Sequence, residues 1–360
     1  MMVQPAAEIL GMGMVTPVGL KAGATAAAIR AGITRVSASP IKDRDREPLK
    51  AAFLEEACLP PLVPSLKAPL ERVTARHRRM VRLASRALLE ASGDGTQRVP
   101  LLLALPEVSP WGDPVGTSFL EHLMEQSGVA LELRHSHLLR AGRAGGLLAV
   151  ERALELLAAK RAPAVLVGGV DTYQDARLLT TLESEGRLQA GALPDGFIPG
   201  EGAAFLLLAP PGEGQRRKRA PFAHVLSTGS AKEPGHRYSK EPYLGEGLAN
   251  AFQCMFARMQ AQRLLIRCVY AGLNGERFWT KEWGVAYLRH TRYFEEEYRI
   301  EHPVEYMGDP GAALGPVMVA LAAIGMKKGY RPSPCLVWCS SDREERAAVL
   351  LQSTEELKRN

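Results

Sequence analysis

Few of the reactive side chains in this 360-residue chain stand in a pattern that could do chemistry. His135 and His137 are spaced i, i+2, which on a strand places two imidazoles on one face. A zinc ion takes four ligands, and no carboxylate or cysteine stands at useful spacing, so the pair reads as structural. His77, His122, His224, His236, His290 and His302 show no triad spacing. Gly11-x-Gly13 lacks the third glycine and the downstream acid of a dinucleotide fingerprint. Asp171 and Asp175 in GVDTYQD are the remaining acidic candidates. No metal and no cofactor are expected.

The five cysteines are odd in number and scattered. Cys335 and Cys339 share the stretch CLVWC, which reads as a strand; four residues there span about 13 Å, too far for a disulfide. Unpaired thiols suggest a reducing, cytoplasmic compartment. The net charge of +6 raises the question of nucleic acid. The basic runs are Arg76–Arg79 and Arg216–Arg219, and neither carries interleaved aromatics for base stacking. The second lies in PPGEGQRRKRAP and reads as a solvated loop. No apolar run approaches the roughly 18 residues of a membrane span, and the first residues do not read as a signal peptide. Nucleic-acid and membrane partners are therefore not expected.

The elements that must position these residues alternate. Strands are predicted at Glu8–Met14, Val99–Leu105, Ala164–Val167, Ala203–Leu208, Phe222–Ser227, Leu265–Ala271, Cys335–Ser340 and Ala347–Leu351. Helices are predicted at Ala24–Ala31, Arg78–Ala91, Ala144–Lys160, Gly247–Gln260 and Ala312–Lys328. Helices feeding continuous apolar strands are the grammar of an α/β sheet covered on both faces. Residues 38–70, rich in proline and charge, read as an irregular excursion. Phe278–Tyr298 concentrates aromatics among mixed charges; it reads as a long amphipathic helix or as a partner surface.

Four segments in order resemble the β-ketoacyl synthase branch of the thiolase-like proteins. They are ILGMGMVTPVG from Ile9, AVLVGGVD from Ala164, DGFIPGEGAA from Asp195 and GDPGAALG from Gly308. The resemblance implies a duplicated five-layer α/β/α/β/α sandwich. Its halves are residues 1–210 and 220–360 of one compact body, which in this family is usually a homodimer. Ala164–Val167 is then expected to be the strand that pairs across the dimer.

The same resemblance places the family's catalytic residues, and all have departed. The nucleophile belongs at Arg143-Ala144-Gly145-Gly146, where Arg143 cannot attack a thioester. The first histidine falls at Leu273 or Asn274 and the second at Asp309, while the lysine position holds Val304. The gating loop reads Ser341-Asp342-Arg343-Glu344-Glu345-Arg346. Arg143 and Asp309 are expected to form a salt bridge that plugs the pocket, with Glu276 as second acceptor. No catalytic residue is assigned. Thiolase-like proteins of this degenerate kind resemble accessory factors of type VI secretion loci. That implies a pseudoenzyme acting as a protein-binding adaptor or co-chaperone, with a secreted effector or its chaperone as partner. The alternative is a ketosynthase-like acyltransferase or the inactive partner of an active synthase.

Overall fold

A computed structural model describes residues 4–42, 46–67, 73–93, 98–108, 115–189, 195–259 and 264–359. Among the described residues, twelve strands run in chain order: β1 Ala7–Val15, β2 Ser37–Lys42, β3 Pro48–Ala51, β4 Leu101–Ala104, β5 His137–Leu139, β6 Val165–Thr172, β7 Glu201–Ala209, β8 Ala223–Lys232, β9 Ile266–Ala271, β10 Phe294–Glu301, β11 Cys335–Ser340 and β12 Glu345–Gln352. Among the same residues, eight helices exceed two turns: α1 Ala22–Arg30, α2 Ala75–Ser92, α3 Phe119–Ser127, α4 Gly145–Ala158, α5 Ala176–Ser184, α6 Glu246–Ala257, α7 Arg277–His290 and α8 Leu314–Lys327.

The duplication is written in the strand order. One half runs β1-β7-β6-β4-β5 and the other β8-β12-β11-β9-β10. In each, the first strand pairs antiparallel with the last of its half, and the remaining inner pairs follow the same directions. The halves meet at a short antiparallel pairing of Ala7, Glu8 and Ile9 with Val225, His224 and Ala223. Both faces of the sheets are covered, which is why β1, β6 and β7 are buried along their whole length.

Helices α4 and α8 form the middle layer and share one core with both sheets. Their approach is close: a side-chain carbon at Gly146 would lie 2.2 Å from Pro316 Cδ; the turn that enters α8 is as close to β6, where one at Gly169 would lie 2.2 Å from Ala312 O. Glycine is the only residue that fits such contacts without movement. Helices α2 and α3 cover one outer face, and α6 and α7 the other. This is the five-layer α/β/α/β/α arrangement expected from the sequence.

Three local expectations need correction. Residues 38–70 are not wholly irregular, because β2 and β3 form a separate hairpin. The aromatic stretch Phe278–Tyr298 is not one helix: α7 ends at His290, and the chain continues through a 3-10 turn into β10. Alternate Phe294, Tyr298 and Ile300 pack toward the α6–α7 core, so the aromatics serve a helix and a strand in turn. Finally, Ala164–Val167 is no free edge. Val165–Val167 begin β6, which lies between β7 and β4, and the edge strand of that half is β5. Apolar character here reflects burial on both faces, which a sequence cannot distinguish from an edge awaiting a partner. The basic loop contains a helical turn in which Glu213 pairs with both Arg216 and Arg217.

Candidate functional site

Arg143 stands on a 3-10 turn, Gly142–Ala144, that leads directly into α4. The turn is tied to the end of β11: Ala144 N–H donates to Ser341 Oγ at 2.9 Å, and the Ser341 hydroxyl donates to Ala141 O. The Arg143 side chain is buried, at 5% exposure. Its guanidinium lies over the Trp279 ring, 4.1 Å from the centroid. Nη1 donates to Asp309 Oδ2 at 3.3 Å, and Nη2 lies 3.8 Å from Asp342 Oδ1. Burial opposes this charge, but Asp309, Asp342 and Glu276 outweigh it and push its pKa up.

Asp309 is fixed by backbone and side chain together. Its N–H donates to Ile198 O at 2.8 Å, and its carbonyl accepts from Gly200 N–H at 3.0 Å. Oδ1 accepts from Gly311 N–H at 2.9 Å, and Oδ2 accepts from Asn274 Nδ2 at 2.9 Å besides Arg143. Asn274 also donates to Glu276 Oε2 at 3.1 Å and accepts from the Glu276 N–H at 3.1 Å. Leu273 is half-buried and packs toward the α6–α7 core. Val304 is buried in a one-turn helix, Val304–Met307.

Glu276 is not the second acceptor of Arg143. It takes Arg187 Nε at 2.9 Å, Arg237 Nη2 at 2.7 Å and the Trp279 indole N–H at 2.9 Å. The second carboxylate facing Arg143 is Asp342, which also receives Arg187 Nη1 at 2.7 Å. Arg187 thus bridges the two acids and is itself buried, at 3% exposure. Burial works against the Asp342 charge, yet Arg187 and Arg143 prevail and hold its carboxyl down to about 2. Glu276 is likewise held below the carboxylate range by Arg187, Arg237 and Arg143 against its burial. Asp342 lies in the gating-loop segment and Trp279 in the aromatic stretch, neither of them expected beside Arg143; Arg187 and Arg237 carry no local signature, and Arg187 sits in SEGRLQA, which resembles any polar loop. The charged turn from Ser341 to Arg346 is less exposed than its composition suggests. Arg346 is fully buried and pairs with the equally buried Glu282.

The site therefore presents Arg143, Arg187 and Arg237 interleaved with Asp309, Glu276 and Asp342. Among the described residues, no histidine joins this network. Cys339 on β11 is in electrostatic reach of Arg143 and Asp309, and burial pushes its pKa far up despite Arg143. A thiol so protonated is a poor nucleophile. The pair Arg143–Asp309 does not fill the space around it. A cavity of about 270 Å³ opens on Arg143, Tyr173 and Asp342, and another of about 320 Å³ opens on Asp309, Asn274 and His302. The ion network lies between them rather than plugging one pocket. Elsewhere, His135 Nδ1 is bonded to Glu132, and among the described residues no group of three or more metal-ligating side chains is present. Asp171 is an ion-pair partner of Arg76 at 2.7 Å, and Asp175 caps α5 by accepting from Leu178 N–H. All five cysteines are free thiols.

The sequence profile of the β-ketoacyl synthase N-terminal domain matches residues 135–212, the segment from β5 through β7. Among curated proteins no sequence relative matches. Several solved structures share the architecture. A type II PKS ketosynthase in complex with its acyl-carrier protein, bound to the hexaketide, aligns with a TM-score of 0.74 at 16% identity, over 98% of this chain and 100% of that one. The ishigamide ketosynthase/chain length factor gives 0.73 at 15% identity, over 96% and 98%. The ketosynthase from module 6 of the bacillaene synthase of Bacillus subtilis 168 gives 0.78 at 13% identity, over 96% and 72%. The chain has the thiolase-like fold of ketosynthases. Identities this low speak to fold, and the site must be read on its own residues. Among the described residues, no helix is long and apolar enough to cross a membrane.

Proposed function

We propose that this chain is a non-catalytic, ketosynthase-like protein that acts through protein contacts, as an adaptor or co-chaperone for a type VI secretion effector. The observation that carries the reading is Arg143. By the family resemblance a guanidinium takes the nucleophile position, and the buried Asp309 and Glu276, with the partly buried Asp342, hold the surrounding cations in place. Covalent acyl transfer needs a nucleophile and an adjacent base, and neither is supplied by this network. The effector link rests on the resemblance to type VI accessory factors.

A second reading has its own support. One structural relative is the ishigamide ketosynthase/chain length factor, and a subunit lacking a nucleophile suits an inactive partner of an active synthase. The two readings separate by experiment. Cysteine-directed acyl-thioester probes are expected to leave Cys268, Cys335 and Cys339 unlabelled, because all three are buried. Stoichiometric labelling of one of them would restore an acyltransferase. Co-expression with the products of neighbouring genes then reads the partner: a stable complex with a secreted effector supports the adaptor, and one with a nucleophile-bearing synthase supports the inactive subunit.

A further inference from the structure

The cavity beside Arg143 is balanced in charge. Among the described residues four arginines and four acids line it, and Arg343 stands against Glu107, whose pKa burial and Asp342 push up to about 7. A second cavity, of about 540 Å³, is not balanced. It lies in the outer layer, between α6 and the turn that joins α7 to β10. Among the described residues its lining holds Arg289, His290 and Arg292 and no acid. Arg289 is paired outside the lining, with Glu246 at 2.9 Å. Arg292 meets no carboxylate among the described residues. Its Nη2 donates to the Tyr293 hydroxyl at 3.1 Å, and its guanidinium lies over the Tyr293 ring, 4.9 Å from the centroid.

His290 ends α7 and is buried, at 8% exposure. Its Nδ1 lies 2.9 Å from Ala286 O. A carbonyl oxygen only accepts, so Nδ1 carries a proton and donates. That bond accounts for one ring nitrogen. Among the described residues nothing bonds to Nε2, and the ring lines the cavity. The centroids of His290 and Tyr293 are 6.2 Å apart, so the imidazole and the Arg292 guanidinium flank one ring. Phe256 stacks on that ring at 3.9 Å, and Leu350 adds an aliphatic wall.

We infer that this cavity binds an aromatic carboxylate, with its oxygens on Arg292 and His290 and its ring against Phe256 and Tyr293. A planar carboxylate matches the guanidinium fork, and a ring suits an aromatic wall. A neutral imidazole would turn a lone pair toward the carboxylate, so binding takes up a proton at Nε2. The charged groups facing His290 are Arg289 from its own helix and Arg292 from the turn; α6 presents Phe252 and Phe256, and β12 presents Leu350, which carry no charge. Burial lowers the His290 pKa, aided by Arg292 and Arg289 and opposed by the Ala286 bond. Affinity should therefore fall as pH rises above that value. The inference stands apart from the adaptor reading, which a failed titration with acids leaves untouched.

Calorimetry on the whole chain tests it, with 2-naphthoate as probe and the neutral 2-naphthamide as control, at about pH 5.5 and about pH 7.5. Saturable naphthoate binding is expected at the lower pH, weakened by about tenfold or more at the higher. Buffers of different ionisation enthalpy should show proton uptake on binding. Arg292→Gln should weaken binding by about tenfold at both values. His290→Asn keeps a donor for Ala286 O and removes Nε2, so it should abolish the proton uptake and the pH dependence. Thermal unfolding establishes that each variant is folded; if His290→Asn is not, Arg292→Gln and the wild-type proton uptake decide. The proposal is overturned if naphthoate binds no more tightly than the amide, if Arg292→Gln binds as wild type does, or if binding takes up no proton. Octanoate binding as tightly as naphthoate would overturn the aromatic assignment.

Discussion

Asp309 receives Arg143, Asn274 and the Gly311 N–H, so its removal leaves a buried guanidinium short of a partner. Asp309→Ala is expected to destabilise by about 3–5 kcal/mol, read from urea unfolding. A loss below about 1 kcal/mol would mean that Asp342 alone can hold Arg143. The two unusual carboxyls predict opposite pH behaviour. Asp342 ionises in the folded chain at about 2, below its ordinary 3.8; its contribution is full above the unfolded value and is lost as pH falls through 2. Glu107 ionises at about 7, above its ordinary 4.5; its contribution is full below 4.5 and is lost as pH rises through 7. Urea midpoints should therefore decline between those two values in wild type, and the decline should shrink in Glu107→Gln. Arg143→Cys should not restore condensation, since among the described residues no histidine joins the network beside it. Malonyl decarboxylation by that variant would contradict the reading. Arg143 and Asp309 were legible because their motifs flank them. Arg187 was not, because its role comes from three elements that meet only in the folded chain.

At the scale of elements, the middle layer tolerates least. Gly146→Ala would drive a methyl into Pro316, so α4 and α8 must separate or the backbone must shift. A loss of about 1–3 kcal/mol is expected from such overpacking, with the melting temperature as the readout. An unchanged melting temperature would show that the layer can slide. Most elements were readable in the sequence, since helical spacing and apolar runs survive in α2, β7 and β11. The failures have two causes. In Phe278–Tyr298 the aromatics satisfy a helix face and then one face of β10, and composition does not mark where one period gives way to the other. The β2–β3 hairpin contains Pro40 and Pro48, residues that argue against a strand away from an edge.

At the scale of the whole molecule, the halves 1–210 and 220–360 are proposed to unfold as one body. Helices α4 and α8, from different halves, share a single core. A single calorimetric transition with equal van't Hoff and calorimetric enthalpies is expected; two resolved transitions would separate the halves. A homodimer remains our proposal, now through β5 rather than β6. Amides of His137–Leu139 should then exchange slowly at micromolar concentration and faster on dilution, alongside a sedimenting dimer. The seam between the halves also bears on how the chain is made. Strand β1 is flanked by β7 and β8, both of which lie far downstream. During synthesis it has no sheet partner until translation has passed Glu201, and β8 in turn waits for β12 before its other side is closed. Each half is thus completed by its last strand, a topology of high contact order that leaves apolar β1 in need of shelter while the ribosome is still at work.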